Sequence, residues 1–171
     1  MAGTEYTHVS IVADDLDASV AFYEDVFEMH PIPTPDWDME IQWLGCGDLQ
    51  LHVAVADADP PAFNHAAFHV DDPERVYTAV RERDDAHVEV LEQFADREEP
   101  GDAPPVYTLP GGSVQLYVRD PAGNLVEVNH PDVSELDGAV LTNVVERTDL
   151  TPPGPGEDPI DVYRPHGLDV S

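Results

Sequence analysis

The chain carries its own opening twice. Tyr6-Thr-His-Val-Ser-Ile-Val-Ala-Asp-Asp15 and Phe63-Asn-His-Ala-Ala-Phe-His-Val-Asp-Asp72 follow one plan, a strand-like run with a histidine near its start and paired aspartates at its end. His65 lies 57 positions after His8, and Asp71-Asp72 lie 57 positions after Asp14-Asp15 (65 − 8 = 57; 71 − 14 = 57). Self-similarity at so long a period marks a repeated supersecondary unit, so the chain should fold as two like units in tandem.

Each opening leads into a helical pattern. In the first, Leu16, Val20, Tyr23 and Phe27 recur at one face of an amphipathic helix, with Asp15 placed to cap it. In the second, Pro73 sits in the first turn and Val76 and Val80 carry the apolar face. Strand-like runs follow. Glu40–Leu44 and Leu49–Val55 are joined by the turn Gly45-Cys-Gly-Asp48. Val88–Leu91, Ser113–Arg119 and Leu125–Asn129 come after the second helix, the last two joined by Asp120-Pro-Ala-Gly-Asn124. The expected class is α+β, two tandem βαβββ modules over residues 1–58 and 62–131 followed by an extension over 132–171, all within one structural domain. Linkers are expected near 57–64 and 95–105. Gln93–Pro110 reads as a long surface loop. Val140–Val145 reads as a further strand or short helix, and Thr151–Pro159 is too rich in Pro and Gly for regular structure.

At 171 residues the length suits one domain. The charge excludes more than the length does. Seven arginines and no lysine stand against 36 acids, a formal net charge of −29. Such a surface repels nucleic-acid phosphates and anionic lipid, so neither is an expected partner. The acids run along the whole chain rather than in a tail, which reads as adaptation to a salt-rich cytoplasm, where the Debye length falls to about 3 Å at 1 M salt. No apolar run approaches a membrane span and no secretory leader is recognisable. A single cysteine, Cys46, excludes a disulfide within the chain and reads as structural.

Against an acidic background, a carboxylate must earn attention by its surroundings. Glu127 does so, standing between Val126 and Val128 on the last strand of the second unit, where burial is costly unless the charge is paired or bound to a metal. His8 and His65 open the two units at matched positions. Two histidines and one carboxylate from three strands match a 2-His-1-carboxylate set that leaves open positions for substrate.

Leu116-Tyr117-Val-Arg-Asp120-Pro121-Ala-Gly123-Asn-Leu-Val-Glu127 carries a specific resemblance. With the duplicated histidines, it is similar to the vicinal oxygen chelate superfamily, which includes glyoxalase I, bleomycin-resistance proteins, thiol-transferring fosfomycin-resistance enzymes and extradiol ring-cleaving dioxygenases. The likeness covers residues 5 to about 131. It implies a cup of mixed sheet holding a divalent ion on His8, His65 and Glu127, with Fe2+ or Mn2+ ahead of Zn2+ or Ni2+. It implies Tyr117 as a group reaching toward substrate, a small molecule chelating through two oxygens, and a homodimer. His69, on the same strand face as His65, is a candidate acid/base.

The chain also departs from its relatives. Glyoxalase I-like members use a Glu as fourth ligand on the strand that here reads Leu49-Gln50-Leu51-His52, leaving Gln50 or His52 as substitutes. The extradiol acid/base histidine is absent from its usual place, here Thr108-Leu109-Pro110, and the basic residues of the fosfomycin branch are missing. Extradiol-type chemistry is the leading expectation; a glyoxalase I-like isomerase or a non-catalytic, bleomycin-sequestering type of binder are the alternatives. His30, His87, His130 and His166 read as surface histidines, Arg119 as an ion-pair partner, and Trp37 and Trp43 as core or pocket wall.

Overall fold

The computed structural model describes residues 6–91, 103–138 and 140–150. The Gln93–Pro110 loop as far as residue 102, the proline-rich tail from Thr151 and His166 lie outside the described residues.

The elements in chain order are β1 (His8–Ala13), α1 (Leu16–Phe27), β2 (His30–Ile32), β3 (Ile41–Cys46), β4 (Leu49–Val55), β5 (His65–His69), α2 (Pro73–Arg81), β6 (His87–Glu89), β7 (Val106–Thr108), β8 (Val114–Arg119), β9 (Leu125–His130) and β10 (Val144–Glu146), with a 3-10 turn at Val133–Glu135. The class is α+β, as the patterning predicts. One four-stranded sheet runs β1-β4-β3-β2; the other runs β10-β7-β8-β9-β5, with β6 also on β8. The repeat is visible in this order. In each sheet the strand before the helix pairs with the last strand of its set, that strand with the one before it, and that in turn with the strand after the helix. In the first sheet β1 pairs with β4 in parallel, His8 opposite Gln50, and the other pairs are antiparallel. The short strands β2 and β7 carry too few residues for a periodic signal, and both escape the sequence pattern. β10 occupies part of the Val140–Val145 stretch.

The chain divides into two compact units, one of residues 1–66 with 119–125, the other of 67–118 with 126–171. In the first, Asp15 caps α1 by accepting from the Ala18 amide at 2.9 Å. The buried stripe of α1 is Ser19, Phe22, Tyr23 and Val26 rather than the Leu16, Val20, Tyr23, Phe27 set. Both sets are helical, but the aromatic pair Phe22–Tyr23 carries the largest apolar area and turns the helix toward itself, leaving Leu16, Val20 and Phe27 half-buried at the border. In the second unit Pro73 opens α2, Asp72 caps it, and Val76, Tyr77 and Val80 are buried, as expected for Val76 and Val80.

Asp120, the second-repeat turn residue, serves the first unit. Its Oδ2 accepts from Tyr23 Oη at 2.9 Å and from Asn124 Nδ2 at 2.8 Å, while its Oδ1 accepts from the amides of Asn124 and Ala122 at 2.7 and 3.1 Å. Asn124 Nδ2 also donates to the Val12 carbonyl on β1, at 2.7 Å. The Asp-Pro-Ala-Gly-Asn segment is therefore a clamp between α1, β1 and a turn. Arg119 belongs to the same construction: its guanidinium donates to the Gly123 and Ala62 carbonyls at 3.0 and 2.9 Å. Gly123 completes the turn at φ +85°, a backbone state that an L side chain strains. Gly123→Ala is expected to lower stability by about 1–2 kcal/mol, measured as a lower denaturation midpoint at unchanged denaturant m-value.

Candidate functional site

His8 stands at the exposed start of β1. The strand register sets His8, Gln50, Gly45 and His30 in one row across the first sheet, and Ser10, His52, Trp43 and Ile32 in the next row. Residues two apart on a strand share a face, so both rows point the same way. Gly45 leaves room for the His30 ring: a Cβ there would come within 2.7 Å of His30 Cε1. The rings form a stack. His8 and His52 lie 4.2 Å apart at 7° between planes, and His52 and Trp43 lie 4.3 Å apart at 2°. His52 Nε2 is 3.0 Å from Gln50 Oε1. Burial, and after it the neighbouring His8, hold the His52 imidazole below the ordinary histidine range. Trp43 is half-buried in this stack with its Nε1 lacking a partner, whereas Trp37 is exposed and is no wall of it. Cys46, at the end of β3, is half-buried and its thiol is pushed up by burial, away from thiolate chemistry.

His65, at the start of β5, is exposed, and its Nδ1 donates to the Phe63 carbonyl at 2.8 Å. A carbonyl only accepts. The neutral ring is thereby set as the Nδ1–H tautomer with the lone pair on Nε2, the state in which an imidazole ligates a metal.

Glu127 lies in the second unit, in the middle of β9, and is only 7% exposed. Two neutral amides converge on its Oε1: Gln115 Nε2 from β8 at 3.0 Å and Asn129 Nδ2 at 2.8 Å. Gln115 and Asn129 are themselves buried. Asn129 Oδ1 is buried without a hydrogen-bond partner, a loss of about 1–3 kcal/mol. Neither amide figured in the sequence reading. Their signal was nonetheless present, since Gln115 interrupts an apolar strand between Val114 and Leu116, and Asn129 shares a strand face with Glu127. Tyr117 is buried beside Tyr107, ring centroids 6.5 Å apart. His69 is half-buried, its Nε2 3.5 Å from Asp71 Oδ1.

His130 departs from its expected place. It is buried, with Nδ1 donating to the Val70 carbonyl at 3.1 Å and Nε2 3.3 Å from Glu135 Oε2, so it ties the end of β9 to the 3-10 turn. His30 and His87 are exposed, as expected.

Among the described residues, no three His, Cys, Asp or Glu side chains are gathered closely enough to hold an ion. The residue types of the expected donors are those a divalent cation takes, an imidazole at His65 whose Nδ1 donates to a carbonyl and a buried carboxylate at Glu127 that accepts from Gln115 and Asn129.

A family model described as the glyoxalase/bleomycin resistance protein/dioxygenase superfamily matches residues 6–128. The chain belongs to this superfamily. No curated protein matches it. A crystal structure from Bacillus anthracis assigned to the glyoxalase family is 23% identical, with TM-score 0.55, over 75% of this chain and 96% of that one. Lactoylglutathione lyase from Agrobacterium tumefaciens is 28% identical with TM-score 0.46, over 74% and 93%. A mutant of the fosfomycin resistance protein FosX from Listeria monocytogenes, complexed with Mn(II) and 1S,2S-dihydroxypropylphosphonic acid, is 16% identical with TM-score 0.54, over 75% and 92%. The fold is thus shared with the Bacillus anthracis and Listeria monocytogenes proteins. No helix among the described residues is long and apolar enough to cross a membrane.

Proposed function

We propose that this chain is a metal-dependent enzyme of the superfamily that takes a small substrate through two oxygens, with His8, His65 and Glu127 as ligands and chemistry of the extradiol dioxygenase type. The observation that carries the reading is Glu127. Among the described residues most acids lie at the surface, whereas this carboxylate is buried on the last strand of the repeat and accepts from the Gln115 and Asn129 amides. When bound, a divalent ion, Fe2+ or Mn2+ before Zn2+ or Ni2+, supplies Lewis acidity to the substrate oxygens. Phe63 O sets the His65 ring, the two amides set Glu127, Tyr117 offers a phenol to a substrate oxygen, and His69 holds or moves a proton at Nε2. The net charge of −29 supports a working environment in a salt-rich cytoplasm, and a homodimer is part of the same reading.

A second reading has one observation behind it. Gln50 faces His8 across the parallel pair of β1 and β4, the position from which a fourth ligand would come in a glyoxalase I-like isomerase. Elemental analysis of protein purified in molar salt without added metal separates the two. Near one Fe or Mn per chain, with oxygen uptake on catechols, is the expected result. One Zn or Ni per chain with no oxygen uptake would favour the isomerase, and a chain that takes up no metal on titration would leave a non-catalytic binder.

A further inference from the structure

The three rings stacked on the first sheet form a column that runs across its strands. Trp43 on β3 pairs with His52 on β4, and their rings lie 4.3 Å apart at 2° between planes. His52 stands opposite Ser10 on β1, and His8, two residues before Ser10, lays its ring against His52 at 4.2 Å and 7°. Two flat rings cannot share one face of an imidazole, so His52 is sandwiched and the column runs Trp43, His52, His8. Trp43 is half-buried, His52 is buried and His8 is exposed. β1 is the outermost strand of this sheet, so no further strand of it supplies a ring beyond His8. The column therefore ends on an open imidazole face. That last ring is also steadied in its own plane, with Nδ1 3.0 Å from Thr7 Oγ1.

We infer that this column is a stacking platform for a planar aromatic ligand, which lays its ring on the outer face of His8. Flat rings attract one another face to face, and a ring already stacked and hydrogen-bonded loses little further freedom when a ligand settles on it. The net charge of −29 works against an anionic ring, so the class of ligand is an uncharged or cationic planar one. The inference concerns the ring of a ligand and not its oxygens, and it does not rest on His8 as a metal ligand. An imidazole gives an ion the in-plane lone pair of a nitrogen and keeps its faces for stacking.

The test is a proton NMR titration with catechol, a planar ring that is uncharged near neutral pH, in molar salt with excess chelator to keep ions out. The imidazole signals of His8 and His52 are followed in wild type, and those of His52 in His8→Ala and His8→Phe, with thermal unfolding in parallel. Cyclohexane-1,2-diol, which carries the same two oxygens on a ring without π electrons, is the control. Catechol should move the His8 signals upfield in wild type and the diol should not. His8→Phe, which keeps a flat ring but no nitrogen, should bind catechol as wild type does, whereas His8→Ala should bind about 5–10-fold more weakly. Equal shifts from catechol and the diol would overturn the platform, since the oxygens and not the ring would then be recognised. Equal loss in His8→Phe and His8→Ala would overturn it too, because a nitrogen and not a face would be at work. So would a wild type whose His8 signals ignore catechol. With ions excluded, each of these failures leaves the metal-ligand reading standing, and metal content per chain judges that reading separately.

Discussion

Glu127→Gln is expected to fold as the parent does and to lose its divalent cation. The glutamine keeps an oxygen where Gln115 and Asn129 can still donate, fills the same volume, and removes a charge from a buried site. Stability should therefore hold or rise. Metal affinity should fall by more than the roughly 100-fold that marks loss of an outer partner, since the change removes a ligating charge itself. His65→Ala is the matched experiment on an imidazole: the ring is exposed and its bond to Phe63 is local, so the fold should be indifferent while metal content drops. His8→Ala should also shed metal, although it strips one ring from the stack on His52 and so carries a structural cost of its own. Metal per chain and the unfolding midpoint, measured on the same samples, decide the matter. Full occupancy in all three variants would sink the ligand assignment.

Asp120→Ala is expected to have the opposite signature, a large loss of stability with no direct claim on the metal. It would leave the Tyr23 hydroxyl, the Asn124 side-chain amide and the two turn amides without their acceptor in a buried place. With one to a few kcal/mol for each buried group left unmade, a total of about 3–5 kcal/mol is expected, a large part of the stability of an ordinary domain. Asp120→Asn is milder, because one oxygen remains for the turn amides, but its NH2 would then meet Asn124 Nδ2 donor to donor. Asn124 cannot turn over without breaking its bond to the Val12 carbonyl.

The pH dependence has a definite sign. Burial raises the Asp120 carboxyl above its ordinary value, against the hydrogen bonds from Asn124, Tyr23 and Ala122 that pull it down. The folded state therefore binds this proton more tightly than the unfolded state. Its contribution grows as pH falls through the folded value toward the ordinary carboxylate range, and is lost as pH rises. The stability gap between wild type and Asp120→Asn should accordingly widen between pH 7 and pH 4. Comparing the two at each pH cancels the titration of the other acids.

The repeat made most of the architecture legible. Matched openings at His8 and His65 and the turn signals at Gly45-Cys-Gly-Asp48 and Asp120–Asn124 locate the longer strands to within a residue or two of their observed ends. Three-residue strands such as β2 and β7 exist because a long neighbour offers them hydrogen bonds, a property of the partner rather than of their own residues. The site was legible as residue types and not as geometry. Glu127 stands out by its apolar neighbours on the strand, and Asn129 reaches it from two residues along the same strand, but Gln115 meets it only through the pairing of β8 with β9, which no local pattern encodes. His130 misled for a related reason: it follows a strand and precedes a Pro, which looks like surface, and only the Val70 carbonyl and Glu135 make its burial tolerable. The Trp43–His52–His8 stack likewise depends on register, since β3, β4 and β1 must slide to particular offsets before three flat rings align.

The clamp at Asp120 also bears on how the chain can be made and cut. The first compact unit does not end where the first repeat ends; it takes residues 119–125 from the second repeat, and among them the acceptor for Tyr23 and the donor to Val12. A growing polypeptide released as far as the first repeat would hold α1 and β1 without the turn that joins them, so that unit is completed only once residues 119–125 have been made. Cleaving between the repeats would likewise not yield two halves that each close alone. The duplication is written in tandem, yet its first copy is completed by its second.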